Sequence, residues 1–185
     1  MLGDVCLDKD GVRAAGAFTE MVNHLKANGK TLSDQLAALY GEYGYYSTNN
    51  GYFFCYDPAI VRSIFDGIRG GVPESECERA VYPTAAGRFG IASVRDLSTG
   101  FDSGEEDNVA RLPRSSFMVT FRFENGGVIT VRGSGTEPKL KYYAELPGEY
   151  AKKDEVDGTL QEMLDAVVQD FLKPEQNNIK RPGGD

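Results

Sequence analysis

The run Arg132-Gly133-Ser134-Gly135-Thr136-Glu137-Pro138-Lys139-Leu140-Lys141 gathers the groups that hold an anion. Its two glycines leave the backbone free to curl and to come close to a ligand, so that successive N–H groups can converge on negative charge. Ser134 and Thr136 add hydroxyl donors. Arg132, Lys139 and Lys141 against Glu137 make three positive charges and one negative. An arginine meets phosphate in bidentate fashion and a lysine meets it as a mobile point charge, so the two types together suit a phosphomonoester. On a strand, Lys139 and Lys141 are two apart and share a face. A glycine-rich turn with incidental charges is the plainer reading of the same residues.

The rest of the chain narrows which anion such a loop would take. Its 185 residues carry 20 Lys and Arg against 28 Asp and Glu, a net charge of −8. A surface of that sign repels nucleic acid and anionic membranes, leaving a small ligand as the partner of one positive loop. Cys6, Cys55 and Cys77 are odd in number and form no CxxC pair, which fits a reduced compartment, and a cytoplasmic location is expected. The start lacks a basic leader, and no stretch approaches the ~20 apolar residues of a spanning helix.

The positioning elements follow from periodicity. Ala15, Phe18, Val22 and Leu25 recur at helical spacing, and Asn28-Gly29 ends that helix. A second helix, capped by Thr31 or Ser33, carries Leu36, Leu39, Tyr40 and Tyr43. The pair reads as a helical hairpin too small to enclose its own core. Tyr45 to Tyr56 suits a strand whose aromatics pack a core rather than stack bases, and Asp57-Pro58 opens a helix through Ile68. Val72–Gly87 and Leu97–Arg114 read as surface loops. In the second, the acids Asp102, Glu105, Glu106 and Asp107 are taken as solvated rather than as a metal site. A strand at Arg88–Asp96 precedes a hairpin, Phe117–Glu124 turning at Asn125-Gly126-Gly127 into Val128–Val131. Lys139–Leu146 makes another strand. A last helix bears Val156, Leu160, Met163, Leu164, Val167 and Phe171 and halts at Pro174, before a frayed polar tail. His24 reads as a surface or interface residue.

The motif Arg-x-Ser-Gly-Thr-Glu-Pro-Lys resembles the phosphate-binding signature of the α-D-phosphohexomutase superfamily. Leu7–Val12, Gly29–Leu32, Tyr43–Tyr45, Arg95–Leu97 and Lys141–Leu146 extend the likeness toward the phosphoglucomutase and phosphopentomutase branch. The resemblance implies an α+β fold: a helical hairpin left from a preceding α/β domain, then a mainly antiparallel sheet packed by helices, TATA-binding-protein-like. Residues 1–44 would be the end of a third domain, 45–175 the C-terminal phosphate-binding domain, and 176–185 a polar tail. Arg132, Ser134, Gly135 and Thr136 would hold the phosphate that is not being transferred, with Lys141 or Lys139 as a further contact. Lys9, between Asp8 and Asp10, either reaches substrate in the complete cleft or is a surface ion-paired residue.

The same resemblance implies that the complete enzyme uses a phosphoserine, magnesium and a sugar bisphosphate to interconvert glucose 1- and 6-phosphate, or ribose or deoxyribose 1- and 5-phosphate. This chain has no Ser-His-Asn phosphoserine stretch, no Asp-Gly-Asp magnesium loop, and its one Glu-Glu pair, Glu105-Glu106, is misplaced for the sugar loop. Its partners would then include the missing N-terminal domains of the same protein, with Met1 an internal residue, and the fragment alone is expected to be inactive. A stand-alone phospholigand-binding or protein-interaction module without catalysis is the rival.

Overall fold

A computed structural model describes residues 10–183, so Lys9, with Cys6, Leu7 and Asp8 before it, lies outside the described residues. The chain divides into two units, Met1–Tyr45 and Tyr46–Asp185. In the first, α1 spans Gly11–Ala27 and α2 spans Leu32–Tyr43. Asp10 starts α1, its carboxylate accepting from the Val12 N–H at 2.9 Å and so satisfying a donor the first turn leaves open. Thr31, not Ser33, caps α2. Its hydroxyl accepts from the Asp34 N–H at 3.1 Å while the Asp34 carboxylate accepts from the Thr31 N–H at 2.8 Å. Leu25 is buried, and Phe18, Leu36 and Leu39 are exposed. His24 is exposed.

The second unit is built on a seven-stranded sheet. Its strands are β1 (Tyr45–Phe54), β2 (Ala85–Ala86), β3 (Phe89–Asp96), β4 (Phe101–Asp102), β5 (Met118–Phe123), β6 (Val128–Gly133) and β7 (Lys139–Gly148). They run in the order β1-β7-β6-β5-β3-β2, with β4 on β3, and the β2–β3, β3–β4, β3–β5, β5–β6 and β6–β7 pairs are antiparallel. Period-two alternation sends Val119, Phe121, Ile129, Val131, Leu140 and Tyr142 to one face. There they pack with Ile64, Phe65 and Ile68 of α3 (Pro58–Ile68) and Leu160, Met163, Leu164 and Val167 of α4 (Lys153–Val167). The α+β architecture expected from the sequence is the one the chain adopts. Asp57 caps α3 through the Ala59 N–H at 2.8 Å, and Pro58 supplies its first turn.

The opposite face carries Arg132 and Lys141, which sit directly across from each other in the β6–β7 register, together with Thr120 and Thr130. Thr120 is buried on this face, its hydroxyl 2.9 Å from that of Thr130.

Three expectations need correction. The tail is not frayed at its start: Ile179 is buried, and the Phe54 N–H donates to the Lys180 carbonyl at 2.8 Å. The last helix ends at Val167 and continues as a π-type turn, Val168–Leu172, closed by Lys173 in the left-handed region. The two long loops also contain structure, namely a 3₁₀ turn at Glu74–Arg79 with β2 in the first and β4 in the second. Among the described residues no helix is long and apolar enough to cross a membrane.

Candidate functional site

The loop 134–138 hangs between β6 and β7, and pairing of Gly133 with Leu140 fixes its two ends. The Gly133 N–H donates to the Phe117 carbonyl and the Ser134 N–H to the Lys139 carbonyl, both at 2.9 Å. Those two donors are spent on structure. The N–H groups of Gly135 and Thr136, and the hydroxyls of Ser134 and Thr136, have no hydrogen-bond partner among the described residues. Neither Gly133 nor Gly135 takes the left-handed conformation, so the glycines do not serve to curl the backbone. A side chain at Gly133 would meet Phe117 and Val61, whereas one at Gly135 would stand in open space, the space a ligand would occupy. The loop faces a cleft of about 270 Å3 whose lining includes Cys55, Pro58, Val61, Phe117, Ser134 and Gly135. Burial pushes the Cys55 thiol up, which keeps it protonated and unreactive.

Charge is arranged unevenly around this loop. Glu137 bridges two lysines, with Oε1 2.6 Å from Lys139 Nζ and Oε2 3.2 Å from Lys141 Nζ. These two bonds, Lys139's first, hold the Glu137 carboxyl below the usual carboxylate range. Lys139 also lies over the Tyr52 ring at 4.5 Å and the Phe54 ring at 5.9 Å. Arg132 is exposed and makes no ion pair among the described residues. A cation opposite a cation on neighbouring strands is unfavourable to the sheet, and a bound anion between them would reverse that sign. The structure therefore brings Arg132 opposite Lys141 and joins Lys141 to Lys139 through Glu137, while the cleft is lined by Ser134, Gly135 and Lys139 and not by Arg132, Thr136 or Lys141.

Segment 103–162 matches the C-terminal domain of the phosphoglucomutase/phosphomannomutase family. Over that segment the chain is similar to this domain. Phosphopentomutase of Homo sapiens is 42% identical over 178 residues, a match that covers 94% of this chain and 28% of the relative. Glucose 1,6-bisphosphate synthase of Mus musculus is 41% identical over 183 residues, covering 97% and 29%. A probable phosphoribomutase of Schizosaccharomyces pombe is 37% identical over 185 residues, covering 98% and 30%. The chain thus spans less than a third of the length of these relatives. In fold it is similar to the open form of parafusin, a phosphoglucomutase from Paramecium, with a TM-score of 0.54 at 16% identity over 96% of this chain and 29% of that one.

The loop makes several contacts that residue types and spacing do not disclose. Glu137 counts only as a charge in the sequence, and the stacking of Lys139 depends on β1 reaching β7. The alternation Tyr52, Phe54, Tyr56 is the one available signal, since it puts three rings on one face of an extended segment. No group of three or more His, Cys, Asp or Glu suited to a metal occurs among the described residues, so the residues of this domain do not fit the magnesium implied by the resemblance. The acid-rich loop is already committed. Asp102 is buried rather than solvated and pairs with Arg122 at 3.0 Å, while Glu105 and Asp107 pair with Arg111 at 3.3 and 3.1 Å. Burial alone would raise the Asp102 carboxyl, but the Arg122 and Gly104 hydrogen bonds outweigh it and hold that carboxyl low.

Proposed function

We propose that this chain is the phosphate-anchoring part of a sugar-phosphate mutase of the phosphoglucomutase and phosphopentomutase branch. The observation that carries the reading is Arg132, unanswered by any carboxylate among the described residues, directly opposite Lys141 at the end of a loop whose Gly135 and Thr136 N–H groups and Ser134 and Thr136 hydroxyls have no partner among those residues. In the whole enzyme a phosphoserine would deliver phosphoryl to the sugar phosphate, and the resulting bisphosphate would return its other phosphoryl. In either orientation the non-reacting phosphate rests against Arg132, Ser134, Gly135, Thr136 and Lys141. Binding energy from this remote group positions the reacting hydroxyl and helps keep water from the phosphoserine.

The substrates proposed are pentose 1- or 5-phosphates or glucose phosphates, in keeping with the names of the relatives. Residues 1–44 are proposed as the end of a preceding domain. The phosphoserine, magnesium and sugar loops would come from the rest of the protein, in the cytoplasm. Arg132→Ala in the full-length protein should weaken sugar-phosphate binding by about 1.5–3 kcal/mol, the range for charge-assisted bonds, read from KM and from a direct binding titration. Unchanged kinetics would remove Arg132 from the site. The purified 185-residue chain should show no turnover of glucose 1-phosphate or ribose 1-phosphate. Turnover by a preparation free of host mutase would overturn that expectation.

A further inference from the structure

Glu137 occupies the two lysines of the site in the way a ligand would. One carboxylate oxygen lies 2.6 Å from Lys139 Nζ and the other 3.2 Å from Lys141 Nζ, a bridging pattern that two oxygens of a phosphate could reproduce. The two lysines are not held alike. Lys139 has the shorter bond, the smaller side-chain exposure (21% against 31%), and the rings of Tyr52 and Phe54 beneath its ammonium. Lys141 has Glu137 alone among the described residues and faces the unpaired Arg132.

We propose that Glu137 is an internal counter-anion which a ligand phosphate displaces from Lys141, while Lys139, seated on its aromatic shelf, keeps hold of the carboxylate. The inference rests on the phosphate-site reading and separates two lysines that the sequence treats as equivalent. Lys141 is the mobile phosphate contact and Lys139 is a positioning residue. No bond is made or broken; one ammonium exchanges a carboxylate oxygen for a phosphate oxygen. A monoanion offers Lys141 little that Glu137 does not already supply. A phosphate dianion offers twice the charge and further acceptor oxygens to Arg132 and the loop N–H groups, so the exchange favours phosphate esters over carboxylates.

Titration of the full chain with inorganic phosphate tests this, followed by the amide NMR shifts of Gly135 and Thr136. Glu137→Gln should bind phosphate about two- to fivefold more tightly, the factor expected on releasing an exposed ion pair. The gain should vanish when Glu137→Gln is placed on a Lys141→Ala background. Glu145→Gln, which removes a carboxylate from the same face of β7, should give no gain. No tightening in Glu137→Gln, or an equal gain without Lys141, would overturn the displacement. Arg132→Ala separates the two levels. If it binds phosphate as well as the parent chain, the phosphate site itself falls. If it binds weakly while Glu137→Gln fails to tighten, only the counter-anion does.

Discussion

Arg132 and Tyr82 show what single side chains can be made to do by their surroundings. Arg132 stays exposed and, among the described residues, unpaired beside a second cation, an arrangement suited to capturing an anion. Tyr82 is the contrary case. Its hydroxyl donates to Asp96 Oδ2 at 3.0 Å, and burial, with the Asp96 charge acting in the same sense, pushes its pKa from 10.0 up to about 12. A phenol with a raised pKa contributes stability that is complete below its unfolded value and lost as pH rises toward its folded one. The stability advantage of the parent chain over Tyr82→Phe should therefore shrink between pH 10 and about 12, as measured by urea unfolding at stepped pH. A constant difference would show that Tyr82 ionises alike in both states. At this scale the loop's donors and cations were legible, because its residues are contiguous. Glu137 and Tyr82 were not legible as to role, because each acts through partners whose position depends on the folded chain.

Arg69, the residue that ends α3, ties that helix to the end of β3. It is fully buried, with Nε 2.7 Å from Asp96, Nη1 3.1 Å from Asp66 and Nη2 2.5 Å from the Ser98 hydroxyl, and Ser98 in turn donates to Asp96. Burial by itself would lower the Arg69 pKa, but the bond to Asp96 outweighs it, so the guanidinium stays charged. Arg69→Met leaves a buried carboxylate without its cation and should cost about 3–5 kcal/mol of unfolding free energy. Arg69→Met with Asp96→Leu should recover much of that loss, since no lone charge then remains. A double variant no more stable than the single one would point to packing rather than charge. Helices and strands themselves were readable. The β5–β6 hairpin follows from alternation and its turn, and α3 from Asp57-Pro58 and its apolar stripe. The Arg69–Asp96 link was not readable, because it joins residues 27 apart through the packing of a helix on a sheet.

For the whole molecule, the net charge of −8 and the loop's cations are consistent with the proposed function: a surface of that sign disfavours polyanions, and the proposed site would take a small one. The coverage of less than a third of each relative is in keeping with the proposal that this chain supplies part of a site. Ile179 taught the opposite lesson about the tail. One apolar residue among polar ones carries no period, so it reads as solvent-exposed, yet it is buried and brings Lys180 onto Phe54. β1 ends the sheet on this side, and the Phe54–Lys180 bridge covers part of its outer backbone. The tail is therefore a guard against unwanted strand pairing. A chain cut after Gln176 should expose that edge and self-associate, giving a concentration-dependent rise in light-scattering mass greater than that of the 185-residue chain measured alongside. The last residues would then govern solubility as well as stability.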